Sequence, residues 1–193
     1  MKSSRNFFHL AASLLLTALS ASAQTAPSGA KQFNKDGLTF SYPSKWSFND
    51  TSNADAQQLT LGRPDSDAQI TVFVFRTPIT SAEKLAEAKK ILVDKYVAST
   101  TKSFADAGGK PESSAATTDI ATLKADGVRI RASLDSVPGS AEIYWAVVGQ
   151  RLVVLTFLGP DRALKQATAA WDAIRTSLQI EEPKAQAKPT PKQ

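Results

Sequence analysis

The sequence predicts an α+β domain: a mainly antiparallel sheet flanked by helices, an α/β/α sandwich. Three observations carry this reading. Apolar residues alternate with polar ones at a period of two over residues 38–42, as in a half-buried strand, and Trp46 and Phe48 alternate in the segment after the turn. Two segments instead repeat apolar residues at steps of three and four, as amphipathic helices do. Between those segments, three turn signals divide the chain into short strands of similar length.

Leu38, Phe40 and Tyr42 form the first alternating strand, Pro43-Ser44 turns the chain, and Trp46 and Phe48 alternate after it. Residues 57–62 and 69–76 bracket the turn-rich Arg63-Pro64-Asp65-Ser66-Asp67 and read as a hairpin. Thr80, with Glu83 three residues on, has the pattern of a capping box. Leu85, Ala88, Leu92 and Tyr96 then make one helical stripe, which Gly108-Gly109 stops. Four strands follow, at about 115–125, 128–136, 141–148 and 151–158. Asp126-Gly127 (type I′), Pro138-Gly139 (type II) and Gly149-Gln150 (type II′) are their expected turns. In that register Leu123, Ile130, Val147 and Leu152 face one another, as do Ala121, Ala132, Trp145 and Val154. Leu164, Ala167, Trp171, Ile174 and Leu178 stripe a closing helix, with Asp161 suited to its start.

The two ends read differently. Lys2 and Arg5 precede an apolar run over 7–19, and Ala21-Ser22-Ala23 has small residues where a signal peptidase cuts. Residues 1–23 are therefore expected to be a cleaved secretory leader, the apolar run being too short to span a bilayer. Cleavage after Ala23 points to the periplasm or the extracellular medium. Residues 24–32 are an expected linker, 33–180 the folded domain, and 181–193 a disordered tail of Lys, Pro, Ala and Gln.

Composition narrows the chemistry. The formal net charge is +5, and cleavage removes Lys2 and Arg5 but no acid, leaving +3, far below a dedicated nucleic-acid binder. There is no Cys, and the only His (His9) and only Met (Met1) lie in the leader. The exported part then lacks Ser-His-Asp or Cys-His catalysis, zinc or copper sites built on nitrogen or sulfur, and His-, Cys- or Met-ligated haem. No cofactor is expected.

Four sets of residues were candidates for more than structure. Ser81-Ala82-Glu83-Lys84 matches a Ser-x-x-Lys nucleophile, but without the companion motifs it reads as helix capping. Asp50, Asp55, Asp65 and Asp67 offer oxygen ligands but lack the spacing of a calcium loop and read as turn residues. Asn49-Asp50-Thr51 is a glycosylation sequon. Lys124, Arg129, Arg131 and Arg151 gather in the expected register into a cationic row at one end of the sheet. Such a row offers an anion or a partner protein a contact.

The stretch Gly37-Leu38-Thr39-Phe40-Ser41-Tyr42-Pro43-Ser44-Lys45-Trp46 resembles the opening of PsbP-like domains, and the element order over 33–180 is similar to theirs. The resemblance implies an α/β/α sandwich acting as a binding or assembly module rather than an enzyme. The expected function is thus an exported, non-enzymatic module of the cell envelope, whose partner is an unidentified protein or anionic envelope component. A small-ligand carrier, with Trp46, Tyr144 or Trp171 lining a pocket, is the alternative. A hydrolase using carboxylates or a Ser-Lys pair is disfavoured because no paired acids can be placed in one cleft.

Overall fold

The structure is a computed structural model and describes residues 29–181. The expected leader and the tail beyond Glu181 lie outside the described residues. A seven-stranded antiparallel sheet forms the middle layer. Its strands are β3 (Ser47–Asp50), β4 (Ala56–Arg63), β5 (Ser66–Phe75), β6 (Glu112–Ile120), β7 (Leu123–Leu134), β8 (Val137–Val148) and β9 (Arg151–Pro160), in the order β3-β4-β5-β9-β8-β7-β6. A smaller sheet, in the order β1-β2-β10, joins β1 (Ala30–Lys35), β2 (Leu38–Pro43) and β10 (Gln179–Ile180).

The small sheet and α3 (Asp161–Ser177) cover one face of the large sheet. Phe40, Leu38, Leu59, Leu61, Ile70, Leu155, Ile174 and Leu178 are fully buried there, each such side chain contributing about 1.5–3 kcal/mol by leaving water. The other face carries α1 (Ala82–Ala88), a π-helical turn (Lys89–Asp94) and α2 (Lys95–Asp106). This second layer is thin. Ala88 and Val93 are its buried residues, and α2 buries none.

Several expectations change in detail. Residues 24–33 read as loop, yet β1 begins at Ala30 and pairs with β2 along its whole length. Its one buried side chain, Phe33, stacks on Phe40 at 5.0 Å, and a single apolar residue leaves no alternation to read. The hairpin turn is Asp36-Gly37, both at positive φ. At the first helix the cap is Ser81, not Thr80: its hydroxyl accepts from the Lys84 amide at 3.3 Å. Gly108 takes a left-handed φ of 84°, closing α2 as expected.

The meander exists, but two of its three expected turns lie elsewhere. Its hairpins close at Ala121-Thr122, at Asp135-Ser136 and at Gly149-Gln150, and the last two pairs have both residues at positive φ, which makes them type I′. Proline cannot adopt a positive φ, so Pro138-Gly139 stays inside β8 and the neighbouring Asp-Ser turns instead. Asp126-Gly127 lies inside β7. There Gly127 faces Tyr144, whose ring occupies the space a Cβ would need. Only the β8–β9 register stands as expected, with Val147 opposite Leu152 and Trp145 opposite Val154. Ile130 faces Ala141 rather than Val147, an even slip that keeps the facing residues of β7 and β8 on matching faces and so escapes detection by alternation, although residues 123–125 change strand.

Tyr144 also anchors α3. Its ring lies 5.9 Å from Trp171, which stacks on Phe157 at 5.2 Å with the planes 4° apart. The phenol donates to Glu142 Oε2 at 2.9 Å. Burial, then the Glu142 contact, pushes the Tyr144 pKa up from 10.0 to about 12. A raised phenol pKa favours the neutral form, so its stabilisation is complete below pH 10 and is lost as pH rises towards 12. Spectrophotometric titration is expected to show a phenol ionising near 12, with unfolding over that range, and Tyr144→Phe to lack that step. Gly127→Ala is expected to destabilise by about 1–3 kcal/mol in urea unfolding, because the added methyl overlaps the Tyr144 ring.

Candidate functional site

The cationic row does not assemble. Arg129 and Arg131 lie two residues apart on one face of β7, but each meets an acid. Arg129 pairs with Glu142 at 2.7 Å, and Arg131 with Asp161, at the start of α3, at 2.8 Å. Lys124 stands on the same strand five residues from Arg129, hence on the opposite face, and lies 3.7 Å from Asp119. Arg151 is opposite Val148, whereas Arg129 is opposite Glu142, six residues along β8 and roughly 20 Å away. At that far end Arg151 Nη1 is 3.4 Å from the Asp36 carbonyl, and its Nε is buried without a protein partner. The expectation rested on Asp126-Gly127 being a turn. With those residues inside β7, Lys124 and Arg129 share a strand instead of facing each other.

The remaining candidates separate in the same way. Ser81 caps α1, as described. Asp50 pairs with Lys35 at 2.8 Å, and that hydrogen bond holds its carboxyl far below the usual carboxylate range. Asp65 pairs with Arg63, and Asp55 lies in the loop organised by the Asn53 side chain. Among the described residues no three His, Cys, Asp or Glu side chains converge as a metal site would require. Asn49 is exposed on the edge strand β3. Trp46, Tyr144 and Trp171 are buried in the core beneath the small sheet and α3, so none lines a ligand pocket.

A groove that sequence reasoning missed lies on the other face. It encloses about 410 Å³ between the π-turn and α2 on one side and strands β4, β5 and β9 on the other. Its floor is polar. Asn49, Thr60, Thr71 and Thr156 stand opposite one another on successive strands, forming a row at the inter-strand spacing of about 4.8 Å. Gln58 and Gln69 flank the row. The wall is apolar: Ile91 and Leu92 from the helical side, Phe73 and Val154 from the sheet, and Tyr96 at the rim. Ile91 and Tyr96 remain 48% and 40% exposed, high for large apolar side chains. A shallower depression continues past Thr60 and Gln69 to Asn49 and Phe48.

The π-turn creates the groove's wall. From Ala88 the next buried residue is Val93, five positions on, followed by the half-buried Val97 and Phe104. The extra residue rotates the stripe, so Tyr96, expected on the buried face, points outward to the groove. Lys89 spans the turn, pairing with Asp94 at 2.6 Å and lying 5.1 Å over the Trp145 ring. The five-residue step from Ala88 to Val93 was the readable signal; it was hidden because Leu92 and Tyr96 also satisfy ordinary α-helical spacing.

No protein-family model and no curated protein sequence matches the chain. Solved structures do. A protein from Bacteroides thetaiotaomicron VPI-5482 is similar with a TM-score of 0.54 and 12% identity, over 82% of this chain and 51% of that one. The chain thus spans about half the length of that protein. Cyanobacterial PsbP from Synechocystis sp. PCC 6803, of the family whose opening residues 37–46 resemble, also matches. Its TM-score is 0.49 at 12% identity, covering 84% of this chain and 99% of that one. At 12% identity the likeness to the Bacteroides thetaiotaomicron protein is one of fold alone.

Proposed function

We propose that this chain is an exported, non-enzymatic binding module of the cell envelope, and that it binds through the groove beside the π-turn. One observation supports the site above all. The groove joins exposed apolar side chains to a row of hydroxyls and amides, and among the described residues lining it Lys95 alone is charged. Recognition uses such a mixture, whereas acid–base catalysis calls for paired titratable groups within reach of one substrate. Export rests on the leader-like residues 1–23. In the described residues, no helix is long and apolar enough to cross a membrane.

A small-ligand carrier is the second reading, favoured by the groove's volume, which falls in the range of about 300–1,000 Å³ typical of such sites. Its open side favours part of a larger ligand. The test is capture from the native envelope fraction by the tagged protein. Ile91→Asp combined with Tyr96→Ala changes two exposed positions, so the fold is expected to persist while capture falls at least tenfold. Arg129→Gln with Arg131→Gln is expected to leave capture unchanged and lower stability by about 0.5–1 kcal/mol, as loss of partly exposed ion pairs does. Equal capture by parent and groove variant would remove the groove from the function. Release of a bound small molecule on denaturation, with no larger species captured, would decide for the carrier.

A further inference from the structure

The floor of the groove contains a feature that packing does not explain. Thr71 and Thr156 face each other in the central strand pair, are only 8% and 5% exposed, and both line the groove. Keeping hydroxyls at positions this little exposed costs hydration that Val, of the same shape, would not forfeit. Thr60 extends the pair on β4 and Asn49 on β3. The backbones of β4, β5 and β9 are paired on both sides within the sheet, so over these strands the floor presents side chains.

The Thr hydroxyls and the Gln and Asn amides of that floor both donate and accept without carrying charge, the charged Arg63 and Asp67 lying only in the depression at its Asn49 end. A ligand matched to them must do the same at every contact. We propose that the groove binds an uncharged, hydroxyl-rich chain, a neutral oligosaccharide laid across the strands along Asn49, Thr60, Thr71 and Thr156. The inference rests on the groove being the binding site and names the class of its ligand. The row's spacing of about 4.8 Å is close to the advance per sugar of an extended β-1,4-linked glycan. Tyr96, half out of the wall, offers a ring face to the apolar C–H side of a sugar. An acyl chain would leave the Thr hydroxyls unpaired. A polyanion would meet Lys95 in the groove and, at the Asn49 end, Arg63, which is already paired with Asp65 and stands beside Asp67. An extended peptide gains most by pairing along a sheet edge, which at the groove means β3 alone, whereas the row crosses the strands.

The test is an NMR titration of the isotope-labelled chain with cellotetraose and with the tetramer of N-acetylglucosamine. Saturable shifts are expected at Thr71, Thr156, Ile91 and Tyr96 with at least one of them. Thr71→Val with Thr156→Val keeps the β-branched shape, so it is expected to retain the parent's melting temperature or exceed it while affinity drops at least tenfold. Tyr96→Ala, at an exposed position, is expected to weaken binding by a similar factor without disturbing the sheet resonances. Absence of saturable shifts with both sugars, shifts confined to another surface, or equal affinity in the double valine variant would each overturn the proposal. A peptide that saturates the groove where both sugars fail would also overturn it, while leaving the binding-module reading intact. That reading falls only if envelope capture is independent of Ile91 and Tyr96.

Discussion

The pairing of β5 with β9 is the contact on which the other layers depend. It joins the hairpins formed early in the chain to the meander formed late, between residues such as Val72 and Leu155 that lie far apart in sequence. Until it forms, neither face of the large sheet is wide enough to support a layer. Val72 and Leu155 then back onto the core under α3 and the small sheet, while Phe73 and Val154 support the helical side. From Ile70 to Phe75 and from Leu152 to Leu158 both strands are consequently apolar on both faces, except where Thr71 meets Thr156. The one polar pair in the most demanding position of the sheet is the pair that floors the groove.

How much of this was legible in the sequence differs from element to element. The α3 stripe was plain, since Leu164, Ala167, Trp171 and Ile174 all face the core. So was the last hairpin, because Gly149-Gln150 turns with a glycine at positive φ and both its strands are continuous apolar runs. The other two turns were not. Of two Asp-Gly pairs, Asp36-Gly37 is a turn and Asp126-Gly127 is not. Local chemistry could not separate them, because what decides is the Tyr144 ring lying over Gly127 from the neighbouring strand. Even-numbered slips preserved the apolar matching, so the misplacement reached function unseen. Positions that change strand carry their charges with them, and the cationic row disappeared.

The groove was hidden for a different reason. Gln58, Thr60, Gln69 and Thr71 occupy alternate positions that read as the wet face of a sheet, and nothing in sequence says that a helix overhangs them. The two faces have been given unequal cover. One is sealed by α3 and the small sheet, with stacked aromatics and a Tyr–Glu–Arg network; the other is only partly roofed by a helix that buries little. Stability is concentrated under the first, leaving the second free to expose apolar side chains beside polar ones.

The π-turn has a consequence for how such a surface changes over evolutionary time. It holds one residue more than α-helical winding requires, and the wider turn absorbs it. Deleting a single residue between Ala88 and Val93 would shorten that step from five to four, an ordinary α-helical step, so Val93 would stay on the sheet and Tyr96 at the groove. Only the residues of the turn itself, Ile91 and Leu92 among them, would be rearranged. Length at this point can therefore vary by one residue with a local change in the wall, while the helix beyond keeps its facing.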